Sequence, residues 1–104
     1  MAQFDVYLNP IAADQEGFPC LLDVQSDLLA HLSVRVVVPL VRADMADPPL
    51  PRLNPRFVVD DRNLVMATTL IGGLPTHVLR EPIGNLSDHR AEIVGAIDML
   101  ITGV

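Results

Sequence analysis

Alternation opens the chain: Phe4, Val6 and Leu8 share one face of an extended segment, and Asp5, Tyr7 and Asn9 the other. A period of two predicts a half-buried strand. Asn9-Pro10 ends it, and residues 13–17 read as a polar loop. Residues 20–29 form a second extended run, with Leu22, Val24 and Ser26 opposed to Leu21, Asp23, Gln25 and Asp27. The doublet Leu28-Leu29 breaks that alternation, as at a strand end that crosses from core to interface, or at the start of a bulge. Residues 33–41 carry Val34, Val36, Val37, Val38 and Val41, a β-branched run that favours a strand. Pro39 inside it has no N–H for a ladder, which predicts an edge position or a bulge.

The pattern then stiffens. Residues 47–55 hold Pro48, Pro49, Pro51 and Pro55 and predict a surface-running connection that is neither helix nor interior strand. Residues 57–59 and 63–69 flank Asp60-Asp61-Arg62, which reads as a hairpin turn. Gly72-Gly73 and Pro75 mark a further turn, and residues 76–79 a short strand. After Leu86 the period changes to that of a helix. Ser87 suits an N-cap, and Asp88 follows where a negative charge favours the helix dipole. Ile93, Val94, Ile97, Leu100 and Ile101 recur at spacings of three and four. Leu86 and Ala91 stand at staple positions, and Gly103 is placed to end the helix predicted over 88–102. Many short strands followed by one terminal helix suit an antiparallel barrel or sandwich with the helix packed on it.

Composition narrows the picture. A chain of 104 residues supports one domain, 1–104. Half the residues are apolar, yet only Phe4, Tyr7, Phe18 and Phe57 are aromatic, so the core is aliphatic. That much apolar material in a short chain points to burial against a second copy. The formal net charge is −6, with seven Arg and no Lys. An acidic chain repels phosphates, so direct nucleic-acid binding is not expected, and a basic partner segment suits the charge better. Cys20 stands alone, which rules out an intrachain disulfide. The N-terminal residues lack the pattern of a signal peptide, and no stretch approaches the ~20 apolar residues that span a bilayer. A cytoplasmic protein, away from membranes, is expected.

Candidate chemistry is sparse. His31, His77 and His89 lack metal-site spacing and read as surface or loop residues; no cofactor or metal is expected. Cys20 reads as a small buried hydrophobe. Asp23 and Asp27 fall on one face of an extended run. They could act as an acid–base pair, but the simpler reading is a solvated face or anchors for loop N–H groups. No phosphate loop or nucleophile elbow occurs. Binding is therefore favoured over catalysis. The stripe Ile93, Val94 and Ile97 reads as core, whereas Leu100, Ile101 and Val104 suit either core packing or a partner's surface.

These residues carry a resemblance. Gln3-Phe4 with Val6-Tyr7 resembles the opening strand of the CcdB family, and Asp23-Val24-Gln25-Ser26-Asp27-Leu28-Leu29 resembles its most distinctive motif. Arg35-Val36-Val37-Val38-Pro39-Leu40 is similar to the strand that follows. Met66-Ala67-Thr68-Thr69, Pro75, Leu86-Ser87 with Arg90, then Ile93, Ala96-Ile97 and Gly103 complete the order. The resemblance implies a mainly β, SH3-like antiparallel barrel with one C-terminal helix, assembled as a homodimer. It implies the toxin of a type II toxin–antitoxin system, not an enzyme, acting in plasmid maintenance. Such a toxin binds the A subunit of DNA gyrase and traps the complex holding cleaved DNA. A CcdA-like antitoxin neutralises it, and operator DNA is reached only through that antitoxin.

Carried over position by position, the resemblance implies a gyrase-binding set of Leu28, Leu29, Asp98, Ile101, Thr102, Gly103 and Val104. The best-known tail of the family, Phe-Trp-Gly-Ile, is here Ile101-Thr102-Gly103-Val104. Threonine buries far less area than tryptophan, so affinity for gyrase is expected to fall unless other residues compensate. Asp98 replaces an amide and adds a negative charge. Two rivals remain: a MazF-type endoribonuclease using Arg35 with Ser33, and a relic that binds only its antitoxin.

Overall fold

A computed structural model describes residues 1–11, 15–46 and 50–103. Its strands are β1 (Asp5–Leu8), β2 (Cys20–Asp23), β3 (Val34–Arg42), β4 (Arg56–Val59), β5 (Arg62–Met66), β6 (Gly72–Pro75) and β7 (Gly84–Asn85), followed by the helix α1 (Arg90–Thr102). Every pairing is antiparallel, in the order β4-β5-β3-β2-β1-β7, with β6 on the first half of β3. The end strands approach one another, since a Cβ added at Gly84 in β7 would lie 4.0 Å from Val59 of β4. The sheet is thus a nearly closed antiparallel barrel with one C-terminal helix, as the fold expectation had it. Among the described residues, no helix is long and apolar enough to cross a membrane.

The core follows the alternation. Phe4, Val6, Cys20, Leu22, Val38, Leu40, Phe57, Leu64 and Met66 point to one face, where Ile93 and Ala96 of α1 cover them. Val94 and Ile97 pack at the margin, as the core reading of the stripe requires. The opposite face is not left to solvent: Tyr7, Leu21, Val37 and Leu79 form a second cluster, with Leu74 and Val78 against it. Asp5, Tyr7 and Asn9, expected on an open face of β1, are consequently buried.

Pro39 lies inside the sheet, not at its edge. It pairs with Leu21 of β2, and its carbonyl accepts from the Ala67 N–H on the other side. A strand residue turns its N and its carbonyl to the same side. The missing N–H falls where β3 changes partner from β6 to β5, and the Ala67 carbonyl that would face it accepts from the Leu70 N–H instead.

Several other expectations are corrected. Residues 20–29 are not one strand: β2 ends at Asp23, and Leu28-Leu29 lie in a 3-10 turn, Asp27–Leu29, and not at a strand end or bulge. Gly72-Gly73 belong to β6 instead of a turn, and Gly73 lies close to β3, since a Cβ there would stand 3.0 Å from a Val34 methyl that would have to shift. Residues 76–79 hold a 3-10 turn, Thr76–Val78, and not a strand; the strand over 63–69 stops at Met66. The helix starts at Arg90 after a 3-10 turn, Ser87–His89, and Ser87 caps nothing. Its own N–H is instead held by Asn85 Oδ1 at 2.8 Å. Ala91 is exposed and forms no staple with the buried Leu86. The hairpin at Asp60-Asp61 does form, with both residues left-handed (φ 49° and 61°), as a two-residue primed turn demands. Of the predicted loops, residues 13–14 and 47–49 lie outside the described residues.

Candidate functional site

The residues singled out for binding fall on two elements. Ser26 opens the first, its Oγ accepting from the Leu28 N–H at 3.2 Å while its carbonyl accepts from Leu29 at 2.9 Å. A hydroxyl at this position favours a tight turn over continued strand. The turn presents Leu28 at 88 % exposure and Leu29 at 45 %, with Leu32 and Val34 also exposed beyond it. The second element is the end of α1. Asp98, Ile101 and Thr102 are exposed, and Ile101 is 76 % so, although Ile93 in the same stripe is fully buried. Thr102 Oγ1 bonds back to the Asp98 carbonyl at 2.7 Å, and Gly103 closes the helix at φ 76°, its N–H on Met99. That conformation favours glycine. Val104 lies outside the described residues.

Among the described residues no hydrogen bond joins the turn to the end of the helix; Gln3 instead ties the turn to the start of α1. Its N–H donates to Asp27 Oδ1 at 2.8 Å, its Nε2 to the Val24 carbonyl, and its Oε1 accepts from Arg90 at 3.1 Å. The Arg90 guanidinium also stands 5.6 Å from the centre of the Phe4 ring. Phe4 is left-handed (φ 71°), a costly conformation for an aromatic residue. Two backbone bonds hold it there, to the Asp23 carbonyl and from the Leu86 N–H.

Beneath the turn lies a buried polar cluster that spacing alone did not reveal. Asp23 and Arg35 are both wholly buried, with Arg35 Nε and Nη2 at 2.9 and 2.5 Å from Asp23 Oδ2. Asp23 Oδ1 accepts from the Gln25 N–H at 3.0 Å. Burial pushes the Asp23 carboxyl up from its ordinary value, and the Arg35 guanidinium opposes that rise. Tyr7 adjoins them, and burial, with Asp5 and then Asp23 nearby, pushes its phenol up to about 12. Arg35 Nη1 has no partner among the described residues.

Asp23 and Asp27 therefore share no face. One anchors the Gln25 N–H in the interior and the other the Gln3 N–H at the surface, so both serve as anchors for loop N–H groups. The endoribonuclease reading of Arg35 with Ser33 is also corrected. Arg35 is sealed under the sheet and neutralised by Asp23, so it cannot reach an RNA phosphate. Cys20 is buried, which pushes its thiol up and leaves it a poor nucleophile. His31 and His77 are exposed, whereas His89 packs edge-on against Phe57. Among the described residues no three His, Cys, Asp or Glu side chains are grouped to hold a metal.

Two grooves, of about 390 and 290 Å³, adjoin on the second face of the sheet and share Phe18 and Leu70. Neither is lined by the predicted binding residues. The arrangement is one of fixed apolar projections, suited to docking. Residues 3–103 match the family model for the CcdB protein, a family of toxins from toxin–antitoxin modules, and the chain belongs to the CcdB family.

Proposed function

We propose that this chain, as a single toxin domain and a homodimer in the cytoplasm, binds the A subunit of DNA gyrase and traps the complex that holds cleaved DNA. It acts by docking, without chemistry of its own, and a CcdA-like antitoxin removes it. Family membership supports the toxin role, and one observation supports the contact: Leu28 stands 88 % exposed on a turn that is capped and tied by hydrogen bonds. Covering a leucine fully is worth about 1.5–3 kcal/mol, so a fixed, exposed leucine is a strong anchor. Ile101, at 76 % exposure, offers a second. Leu29, Asp98, Thr102, Gly103 and Val104 complete the proposed surface.

Purified protein incubated with gyrase and supercoiled plasmid is expected to accumulate cleaved DNA after protein denaturation. Removing residues 102–104, or the change Leu28→Ala, is expected to abolish or sharply reduce that cleavage. Full-length protein that leaves gyrase untouched at high concentration while binding antitoxin would favour the relic reading, to which the short Thr102 side chain is suited.

A further inference from the structure

The turn Asp27–Leu29 has no buried residue of its own. Apolar packing therefore does not fix it; polar bonds reaching inward do. Gln25 supplies the central ones. It is 6 % exposed, and its one carboxamide is used twice: Nε2 donates to the Leu29 carbonyl at 3.0 Å, and Oε1 accepts from the Val36 N–H of β3 at 2.9 Å. Its backbone N–H rests on Asp23 Oδ1, and Asp23 is itself locked by Arg35. A continuous chain of bonds thus runs from the buried ion pair through Gln25 to the carbonyl of Leu29. The same carbonyl accepts from the Leu32 N–H and so sets the exit of the turn.

We propose that Gln25 is the positioning residue of the binding site, holding Leu28 and Leu29 in the orientation that docks. The proposal rests on the reading of those two leucines as partner contacts. The residue type follows from the partners. An N–H can only donate and a carbonyl can only accept, so the side chain between them needs one acceptor and one donor on a planar group. Glutamine offers both at the required reach. Glutamate offers only acceptors when ionised, and asparagine is one methylene too short to span both partners. Burial makes the bonds obligatory, because a buried amide left unpaired is costly.

The test is Gln25→Glu and Gln25→Asn, each read by amide hydrogen exchange, denaturant unfolding and gyrase binding. In either variant the amides from Leu28 to Leu32 are expected to exchange about tenfold faster, the loss of roughly one hydrogen bond, with core amides such as Leu22 and Val38 changed less. Gyrase affinity is expected to fall about tenfold. In a Leu28→Ala background the same change is expected to add little, since the residue acts through that contact. In Gln25→Glu, lowering the pH restores a donor on the protonated carboxyl, and turn protection is expected to return toward that of the wild type at the same pH, a comparison that sets aside the Asp23 and Asp27 carboxyls both proteins share. Gln25→Asn keeps the test open if Gln25→Glu does not fold. Turn amides that stay as protected as the core, or an additive loss in the Leu28→Ala background, overturn the proposal alone. Leu28→Ala binding gyrase like the wild type overturns the site reading, and the proposal with it.

Discussion

Arg35 enters as the second residue of β3 and is wholly buried, with two of its nitrogens on one oxygen of Asp23. A buried ion pair gains little over a well-packed apolar pair, but breaking it leaves a bare charge in the interior. Arg35→Leu is expected to lower unfolding free energy by about 3–5 kcal/mol in urea titration, far more than an exposed arginine would. Adding Asp23→Leu is expected to recover part of that loss, although the Gln25 N–H then lacks its acceptor. Tyr7 makes a second prediction. Its phenol stays neutral up to about pH 12 in the fold but ionises near pH 10 when unfolded. A raised folded pKa gives stability that is fully present below pH 10 and is lost as the pH climbs to about 12. Unfolding free energy is expected to drop by up to about 2–3 kcal/mol across that window, and Tyr7→Phe to remove this share of the drop.

At the scale of elements, the hairpin between β4 and β5 turns on two residues that are both left-handed and neither glycine. Asp61→Gly creates the favoured Asp-Gly turn and removes the steric cost of φ 61°. It is expected to stabilise the chain by about 1 kcal/mol, seen as a raised midpoint of thermal unfolding. The helix bears out the core reading of Ile93, Val94 and Ile97, and its last turn, left open between core and partner, is decided by the structure. Ile93 and Ala96 are sealed in the core, whereas Ile101 projects into solvent one turn before the chain end. The hairpin and the helical stripe were legible in sequence because each depends on neighbours within a few residues. The turn at Asp27–Leu29 was not, because Ser26, Gln25 and Gln3 draw the chain out of the extended form it would otherwise keep. The strand at Gly72–Pro75 was missed for a related reason: Gly73 lies close against Val34 of β3, a contact across nearly forty positions of sequence.

For the whole molecule, the formal charge of −6 and the exposed leucines make separable demands. A basic antitoxin segment would be held partly by charge, so its affinity is expected to weaken as salt rises from about 50 to 500 mM. Docking through Leu28 and Ile101 is expected to respond much less over the same range, and isothermal titration of each partner separates the two. Order narrowed the fold to a barrel or a sandwich, from short strands followed by a terminal amphipathic helix, and the motifs from Gln3 to Gly103 pointed to the family and so to the barrel. By itself the sequence determined the strand-rich class, a hairpin near Asp60-Asp61 and the helix with its glycine stop. These are local properties, set by side-chain period and backbone preference. Only the tertiary structure decided that both faces of β1 are buried from Asp5 to Tyr7 while Leu8 is exposed, that Pro39 sits in a central strand, and that Asp23 belongs with Arg35 while Asp27 belongs with Gln3. Burial and pairing depend on which distant segment arrives on each face, and no local spacing carries that information.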